Sequence, residues 1–324
     1  MKDLEETKRI SFLSHESFDQ SSSRLEDSNQ KGDHGERIAA SLLVQALGAE
    51  VRWGSRNEDS NKWDLLVSYD PPHFHEKIMC TFQVKTGPSF AKYCDDTKIL
   101  KITKSTLNQC YRSITRNILC WVDLEKSRAF VHAVFSKPSK PAEIKFPLEI
   151  DPSLPYFLTP IILFNQRKGT KTGITISNNN QNLTPELRNS ARHQFRCYEY
   201  VFNPVFGRIA LTNHSWNHMF RDGRKEKRQL NSLIVIPYLN ALLEKCPSSL
   251  YTNSSESFKV SKEYVVRQRE YTLIYNGIQL QGKGTSTIVI RVLKEVRFNR
   301  YWRIDFKKSL DTLETTVLRS IYIK

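Results

Sequence analysis

An amide and an amine end one otherwise apolar run of the sequence. Gln83 and Lys85 close the segment 78–86, and Val84 lies between them. Because side chains alternate along a β-strand, Gln83 and Lys85 share one face and Val84 lies on the other. The pair could serve an inward polar site. An exposed strand end would also explain it, since charged residues are common on sheet edges.

Glu36 is a second polar residue in an apolar setting. It lies three residues before Ala39 and seven before Leu43, which places it on or beside the buried stripe of a predicted helix. A buried carboxylate is costly unless it meets a cation or a polar site. A glutamate in the first helical turn, favoured by the helix dipole, is the alternative interpretation.

A third group of residues, in the C-terminal half, combines imidazole and guanidinium side chains within the segment 212–228. His218 suits general acid–base chemistry near neutral pH. Arg221, Arg224 and Arg228 could hold a phosphate through forked donors. A solvated turn rich in His and Arg is the simpler explanation.

Six predicted elements must position the first two groups. A helix opening at Gly32 carries an apolar stripe and ends at Gly48, a typical C-cap. The runs 63–69 and 78–86, joined through Asp70-Pro71-Pro72, predict a hairpin. A helix near 103–114 and strands at 118–122 and 129–134 follow.

The ordered set of Glu36 on a helix, Asp64 at a strand start and Gln83-Val84-Lys85 ending the next strand resembles the PD-(D/E)XK, or restriction-endonuclease-like, nuclease superfamily. The resemblance is to its Gln-bearing variant, shared with Mrr-like restriction enzymes. The motifs Gly32–Glu36, Trp63–Leu66 and Phe82–Thr86 look more closely like an uncharacterised bacterial domain family allied to it. The resemblance covers about residues 31–135 and implies an α/β core, with a mixed sheet flanked by helices.

This resemblance implies a Mg²⁺- or Mn²⁺-dependent endonuclease that hydrolyses DNA, with a role in bacterial antiviral defence. Asp64, the Gln83 side chain and the Val84 carbonyl would bind the ion, and Glu36 would hold a metal-bound water or a second ion. Lys85 would orient the attacking water. A homodimer would suit paired cuts in both DNA strands.

The sequence departs from the family pattern at two positions. Trp63 stands where the family usually has proline before the first aspartate. Gln83 replaces an acidic residue and so removes one negative charge, which should weaken metal affinity. A catalytically inactive nucleic-acid-binding protein is therefore an alternative function.

Proline positions separate two predicted domains. Residues 1–30 favour a mobile leader, and residues 31–183 favour the nuclease-like domain, including a Pro-rich connector from about 136. We expect Phe157-Leu158 and Ile161–Phe164 to form a strand that completes this domain. The polar run 178–182 precedes the boundary.

The second predicted domain, 184–324, is α+β, with helices before an antiparallel meander. Thr184-Pro185-Glu186 is typical of a helix start. Residues 232–246 predict another helix, and 264–279 and 287–306 predict strands around a turn at Gly282 and Gly284. This order and a Trp-x-x-His element resemble the barnase, EndoU, colicin and RelE-like ribonucleases. That resemblance implies, as another alternative, a metal-independent ribonuclease toxin acting through His218.

Charge favours a polyanionic partner. The net charge of the 324 residues is +15, and residues 191–324 alone carry 23 Lys and Arg against 11 Asp and Glu. Such a balance indicates binding to DNA or RNA. Aromatic residues at Tyr271, Tyr275, Phe298, Tyr301 and Trp302 suit base stacking, although alternation places at least half of them in the core. The predicted nucleic-acid surface comprises Lys225, Arg267, Arg269, Arg297, Arg300 and Arg303.

The remaining composition favours a soluble cytoplasmic protein. No apolar run reaches the length of a membrane span, and the N-terminus lacks the apolar region of a secretory signal. The six cysteines lack the close spacing of a zinc site and are expected to be reduced. His73-Phe74-His75 near Cys80 could supply zinc ligands, although its place between two strands favours a simple loop.

Overall fold

The computed structural model describes residues 28–54, 63–112, 117–167, 173–177, 183–281 and 284–324. It has mixed α/β architecture, with mixed sheets flanked by helices, as the sequence predicted. The first sheet has six strands in the order β1-β2-β3-β6-β7-β9. These are β1 (Glu50–Trp53), β2 (Leu65–Tyr69), β3 (Ile78–Thr86), β6 (Asn117–Asp123), β7 (Arg128–Ala133) and β9 (Leu148–Glu149).

The predicted hairpin is confirmed, because β2 and β3 pair antiparallel with Leu65 opposite Phe82. Strand β6 then pairs with β3 in parallel, so β3 lies between one antiparallel and one parallel neighbour. The crossover between β3 and β6 contains the three-stranded sheet's β4 (Ala91–Cys94) and β5 (Ile99–Ile102) and the helix α2 (Lys104–Tyr111).

One face of the first sheet is covered by the long helix α1 (Ser28–Leu47). Its stripe residues Ala39 and Leu43 are fully buried, and burial of a leucine side chain contributes about 1.5–3 kcal/mol. Gly48 ends the helix with φ +61°, and its N–H donates to the Val44 carbonyl at 3.0 Å, which confirms the predicted C-cap. The helix begins before Gly32, the start that we predicted.

The opposite face of the first sheet packs against α2 and the three-stranded sheet, which β8 (Ala142–Lys145) completes. Leu119 and Trp121 of β6 join Leu107 and Cys110 of α2 in a separate buried cluster. Thr103 caps α2 by accepting the Thr106 N–H at 3.2 Å. The helix and both following strands match their predicted positions; Ile114, at the predicted end of the helix, lies outside the described residues.

The strand predicted at 157–158 and 161–164 is wrong, because these residues form the helix α3 (Leu154–Gln166). The helix starts after Ser153, whose N–H donates to Asp151 Oδ1 at 2.9 Å, and Pro155 lies in the first turn. Phe157, Leu158 and Ile162 are buried at helical spacing. The short apolar runs did not distinguish a buried helix from a strand.

The C-terminal part forms a seven-stranded sheet in the order β10-β14-β15-β16-β12-β11, and β13 also pairs with β14. Its strands are β10 (Thr175–Ile176), β11 (Tyr200–Asn203), β12 (Gly207–Ala210), β13 (Ser249–Val260), β14 (Tyr264–Leu280), β15 (Gly284–Asn299) and β16 (Thr312–Ile323). Its helices are α4 (Pro185–Arg196), α5 (Asn213–Met219), α6 (Glu226–Val235), α7 (Leu239–Leu243) and α8 (Phe306–Ser309).

Two predicted elements of this part are corrected. The helix expected at 232–246 is two helices, α6 and α7, separated by a 3-10 turn at Ile236–Tyr238, where Pro237 cannot continue the α-helical ladder. The strand expected at 287–306 ends at Asn299, and Phe306 begins α8. The predicted N-cap at Thr184 is confirmed. Gly282 lies outside the described residues.

Both sheets contribute to one buried apolar cluster. Strand β10 lies before the predicted boundary at 183, yet it pairs with β14 of the second sheet. The domain division stays a prediction. None of the described helices combines the length and the apolar character needed to cross a membrane.

Buried ion pairs join the two sheets. Arg267 of β14 contacts Glu149 of β9 at 2.8 Å and Asp151 at 2.6 Å. Lys294 contacts Glu314 at 2.9 Å, and His73 from the β2–β3 loop reaches the same carboxylate at 2.7 Å. Arg267 is thus paired across the contact between the two sheets, whereas the Lys294–Glu314 pair lies within the second sheet. Buried charges need such partners.

Candidate active site

Asp64 lies where β2 separates from β3. Its backbone N–H still donates to the Phe82 carbonyl at 2.9 Å, while its carbonyl accepts the Gly54 N–H at 2.9 Å. Beyond this point β2 no longer supplies a backbone acceptor, and the Asp64 side chain replaces it, because Oδ2 accepts the Val84 N–H at 2.5 Å. The carboxylate thus satisfies a β3 donor that has lost its partner strand.

Gln83 lies beside this carboxylate in the ladder. Continuing the β2–β3 register by one residue places Asp64 opposite Gln83, and opposite residues of an antiparallel pair share a face. The Gln83 side chain is 6% exposed. Its Oε1 is buried and accepts no hydrogen bond from the described residues. A buried oxygen without a donor carries a cost that a bound cation would remove.

The Val84 carbonyl completes the set of oxygens. The N–H and C=O of one residue in an antiparallel ladder point towards the same neighbour, so this carbonyl is directed to the gap occupied by the Asp64 carboxylate. Among the described residues, no three His, Cys, Asp or Glu side chains could share a metal ion. A cation here would therefore depend on amide and carbonyl oxygens, which suit a hard ion such as Mg²⁺.

Lys85 lies two residues after Gln83 on β3, so its side chain is on the same face of the sheet. It is half-buried, and its Nζ lies 5.8 Å from the centre of the Phe90 ring. Burial raises the pKa of the nearby Cys110 thiol to about 12, with Lys85 lowering it and Asp64 raising it. Both charges therefore act on one point beneath α2. Gln83 and Lys85 share one face, as the alternation predicted, and the β2–β3 register places Asp64 on that face as well.

Glu36 lies on α1, which covers the other face of the sheet. It is half-buried and follows Gly35, where an added Cβ would lie 2.1 Å from Thr86 Cγ2. The helix therefore touches the C-terminal end of β3 at this glycine. Glu36 is at the same end of β3 as Lys85, but it approaches from the opposite side of the sheet.

The alternative zinc site receives no support from the described residues, which contain no group of three possible zinc ligands. His73 is occupied by Glu314. All six cysteines are free thiols, and burial raises the pKa of Cys80 to about 12.

The His–Arg segment folds into α5 and the turn after it. His218 is half-buried on α5, while Arg221 and Arg228 are exposed. Arg224 is held by the backbone, because Nη1 donates to the Met219 carbonyl at 2.6 Å and Nη2 to the Ile321 carbonyl at 3.2 Å. Arg224 thus supports the fold, because both of its terminal nitrogens donate to backbone carbonyls.

Two arginines of the predicted nucleic-acid surface are not accessible to a ligand. Arg267 is committed to the buried pair with Glu149 and Asp151, and Arg269, 6% exposed, donates to the Phe146 carbonyl at 2.7 Å. The prediction that Arg267 and Arg269 bind nucleic acid is therefore wrong, because both guanidinium groups are largely buried and bonded within the protein. Arg303 is partly engaged through the Ser127 carbonyl at 3.1 Å.

Lys225, Arg297 and Arg300 remain exposed, and the Arg297 guanidinium stacks 3.8 Å from the centre of the Tyr264 ring. Of the aromatic residues considered for stacking, Tyr301 is 43% exposed; the others are core residues. Alternation correctly indicated that at least half would be buried.

The sequence patterns did not identify two residues of the His–Arg region as candidate site residues. Arg319 of β16 donates from Nη1 to His214 Nε2 at 3.0 Å, across 105 positions of the chain. His214 was visible as a neighbour of His218, four residues away. No local pattern distinguishes Arg319, because its role depends on β16 lying beside α5.

Comparisons with known proteins give little guidance. No family model matches the chain, and no curated protein matches it. Among solved structures, a bacterial homing endonuclease is similar over 36% of this chain and 75% of its own, with 16% identity and a TM-score of 0.25.

Proposed function

We propose that this protein is a divalent-metal-dependent endonuclease that hydrolyses DNA phosphodiester bonds at the Asp64–Gln83–Lys85 face. The PD-(D/E)XK resemblance described above supports the assignment. One observation carries it, namely the buried Gln83 Oε1 that accepts no hydrogen bond from the described residues, beside a carboxylate at the end of β2.

In this proposal each residue of the site has a separate role. Asp64, Gln83 Oε1 and the Val84 carbonyl would hold a Mg²⁺ ion, which when bound would supply positive charge to the phosphate. Lys85 lies two residues after Gln83 on the same face, where its ammonium orients a water and stabilises negative charge developing in the transition state. Glu36 lies on α1 at the same end of β3 but on the other side of the sheet, so it would reach round that end of the strand to hold a water at the site.

The experiment measures cleavage of supercoiled plasmid DNA and of single-stranded RNA, each with Mg²⁺ or with excess EDTA. Wild type is compared with Lys85→Ala and with Lys92→Ala, a matched control at an exposed lysine of β4, the next strand along the chain. We expect DNA cleavage with Mg²⁺ alone, a loss of about 10²-fold or more in Lys85→Ala, and full activity in the control. DNA cleavage that persists in EDTA, or that Lys85→Ala leaves unchanged, would contradict the assignment.

A second candidate is nucleic-acid binding without hydrolysis, which the exposed Lys225, Arg297 and Arg300 favour. It predicts DNA binding that weakens with salt and no cleavage under any metal condition. A third, ribonuclease chemistry through His218, predicts RNA cleavage that is lost in His218→Gln and unaffected by Lys85→Ala.

A further inference from the structure

A β-bulge singles out Arg319 in the C-terminal sheet. In the β15–β16 pairing, Val292 lies opposite Leu318 but Arg291 lies opposite Ser320. Arg319 is thus the extra residue on β16, without an opposite partner. Bulges re-aim side chains, and they are concentrated beside functional sites.

The bulged arginine meets two histidines of α5. His214 and His218 are four residues apart and therefore lie on the same side of the helix. Arg319 Nη1 donates to His214 Nε2 at 3.0 Å, which requires that nitrogen to be unprotonated. The Arg319 backbone forms a hydrogen bond with His218, so one residue of the strand engages both rings.

Two nitrogens of this cluster have no hydrogen-bond partner among the described residues. His218 Nδ1 and Arg319 Nε are both buried and unpaired. An unsatisfied buried polar group destabilises the fold. Arg319 Nε is a donor, and His218 Nδ1 becomes one on protonation, so an acceptor with several oxygens could satisfy both.

The electrostatic surroundings favour a negative ligand. Burial lowers the pKa of His218, and the charges of Arg319 and Arg221 lower it further, followed by that of Arg224. The three charges that act most strongly on this ring are all arginines. Keeping several cations together is unfavourable without a compensating anion.

We propose that His214, His218 and Arg319, with Arg221 at the rim, form a phosphate-binding site in the C-terminal sheet. Arg319 offers forked donors to the phosphate oxygens, and His218 contributes Nδ1–H when the anion stabilises its protonated form. The ligand chemistry is a phosphate group, either of a nucleic-acid backbone or as the free ion. The site lies outside the Asp64 face and does not depend on the proposed nuclease activity.

The test records imidazole ¹⁵N NMR signals of the full chain in EDTA during titration with inorganic phosphate, with chloride added to hold ionic strength constant. His214→Gln and His218→Gln identify the two signals. We expect saturable shifts of both, and at least tenfold weaker phosphate binding in Arg319→Gln. Lys227→Gln, an exposed cation of the neighbouring helix, should bind as wild type does.

Shifts that do not saturate, or that chloride reproduces, would overturn the proposal, and the wild-type titration decides this even if Arg319→Gln fails to fold. Unchanged affinity in a folded Arg319→Gln would also overturn it. A single-stranded oligonucleotide that displaces phosphate identifies the backbone as the source. Saturable phosphate binding without displacement supports a site for the free ion.

Discussion

The Asp64 carboxylate accepts the Val84 N–H at 2.5 Å, at the point where β2 stops accompanying β3. One side chain thus completes a backbone hydrogen bond of the sheet and lines the gap to which the Val84 carbonyl is directed. The fold requires an oxygen at this position, whereas the proposed chemistry requires a negative charge. Substitutions can separate the two requirements.

Asp64→Asn should retain the fold and lose activity, because an amide oxygen can still accept the Val84 N–H but carries no charge for the metal. Asp64→Ala should in addition lower the free energy of unfolding by about 1–3 kcal/mol, since it leaves the Val84 donor unpaired. Urea unfolding followed by circular dichroism measures the difference. Equal stability of the two variants would contradict the hydrogen-bonding role.

Gln83→Glu should lower the Mg²⁺ concentration that gives half-maximal DNA cleavage. The substitution keeps the shape of the side chain and adds a negative charge among oxygen ligands, and charge count is a main determinant of affinity for hard cations. We expect about a tenfold change, equivalent to about 1.4 kcal/mol. Gln83→Leu should abolish cleavage, and an active Gln83→Leu enzyme would exclude the amide as a ligand.

Gly35→Ala should lower the free energy of unfolding by about 1–3 kcal/mol through overpacking, because the new methyl would lie 2.1 Å from Thr86 Cγ2. Gly32→Ala is the matched control on the same helix. It has open space around the added Cβ and should gain about 0.5–1 kcal/mol from helix propensity. Thermal unfolding measures both.

Thr86→Ser removes the obstructing methyl group and should rescue Gly35→Ala. Failure of that rescue would show that α1 approaches the strand elsewhere. Because Glu36 follows Gly35, the overpacked variant should also reduce cleavage.

Removing one partner of the Lys294–Glu314 pair should be far more damaging than replacing both. The side chains are 3% and 5% exposed, so Lys294→Met strands a buried carboxylate at a cost of about 3–5 kcal/mol. The double variant Lys294→Met/Glu314→Leu should recover most of that loss. Chemical unfolding of the two single variants and the double variant gives the coupling energy.

The free energy of unfolding should decrease in acid, because the Glu314 carboxylate becomes protonated. Burial raises the pKa of Glu314, but the hydrogen bond with His73 and the charge of Lys294 outweigh burial and bring it to about 2, below its ordinary 4.5. A carboxyl group with a lowered folded-state pKa stabilises the fold above pH 4.5, and this contribution is lost as the pH falls towards 2. The Glu314→Gln variant should show a flatter stability profile over this range.

Local patterns predicted the part of the fold that carries the proposed centre. Strict alternation fixed the shared face of Gln83 and Lys85, and an apolar stripe with a glycine stop described α1. Sequence could not show that Asp64 meets Val84, because that contact depends on where β2 separates from β3.

The errors arose where distant residues decide the outcome. The apolar runs in α3 are too short for their periodicity to distinguish a helix from a strand. Arg267 and Arg269 have the composition of a phosphate-binding strand, yet they face Glu149 and the Phe146 carbonyl across the contact between the sheets. Arg319 reaches His214 only through the pairing of strands remote in sequence.

The most direct test of the proposed centre is the binding of Mn²⁺ to wild type and to Asp64→Asn, followed by electron paramagnetic resonance of the free ion. Manganese prefers the same oxygen ligands as magnesium, and the measurement does not depend on catalysis. The structure predicts one saturable site in wild type that Asp64→Asn loses while remaining folded. Identical stoichiometry and affinity in the two proteins would contradict a metal centre at the end of β2.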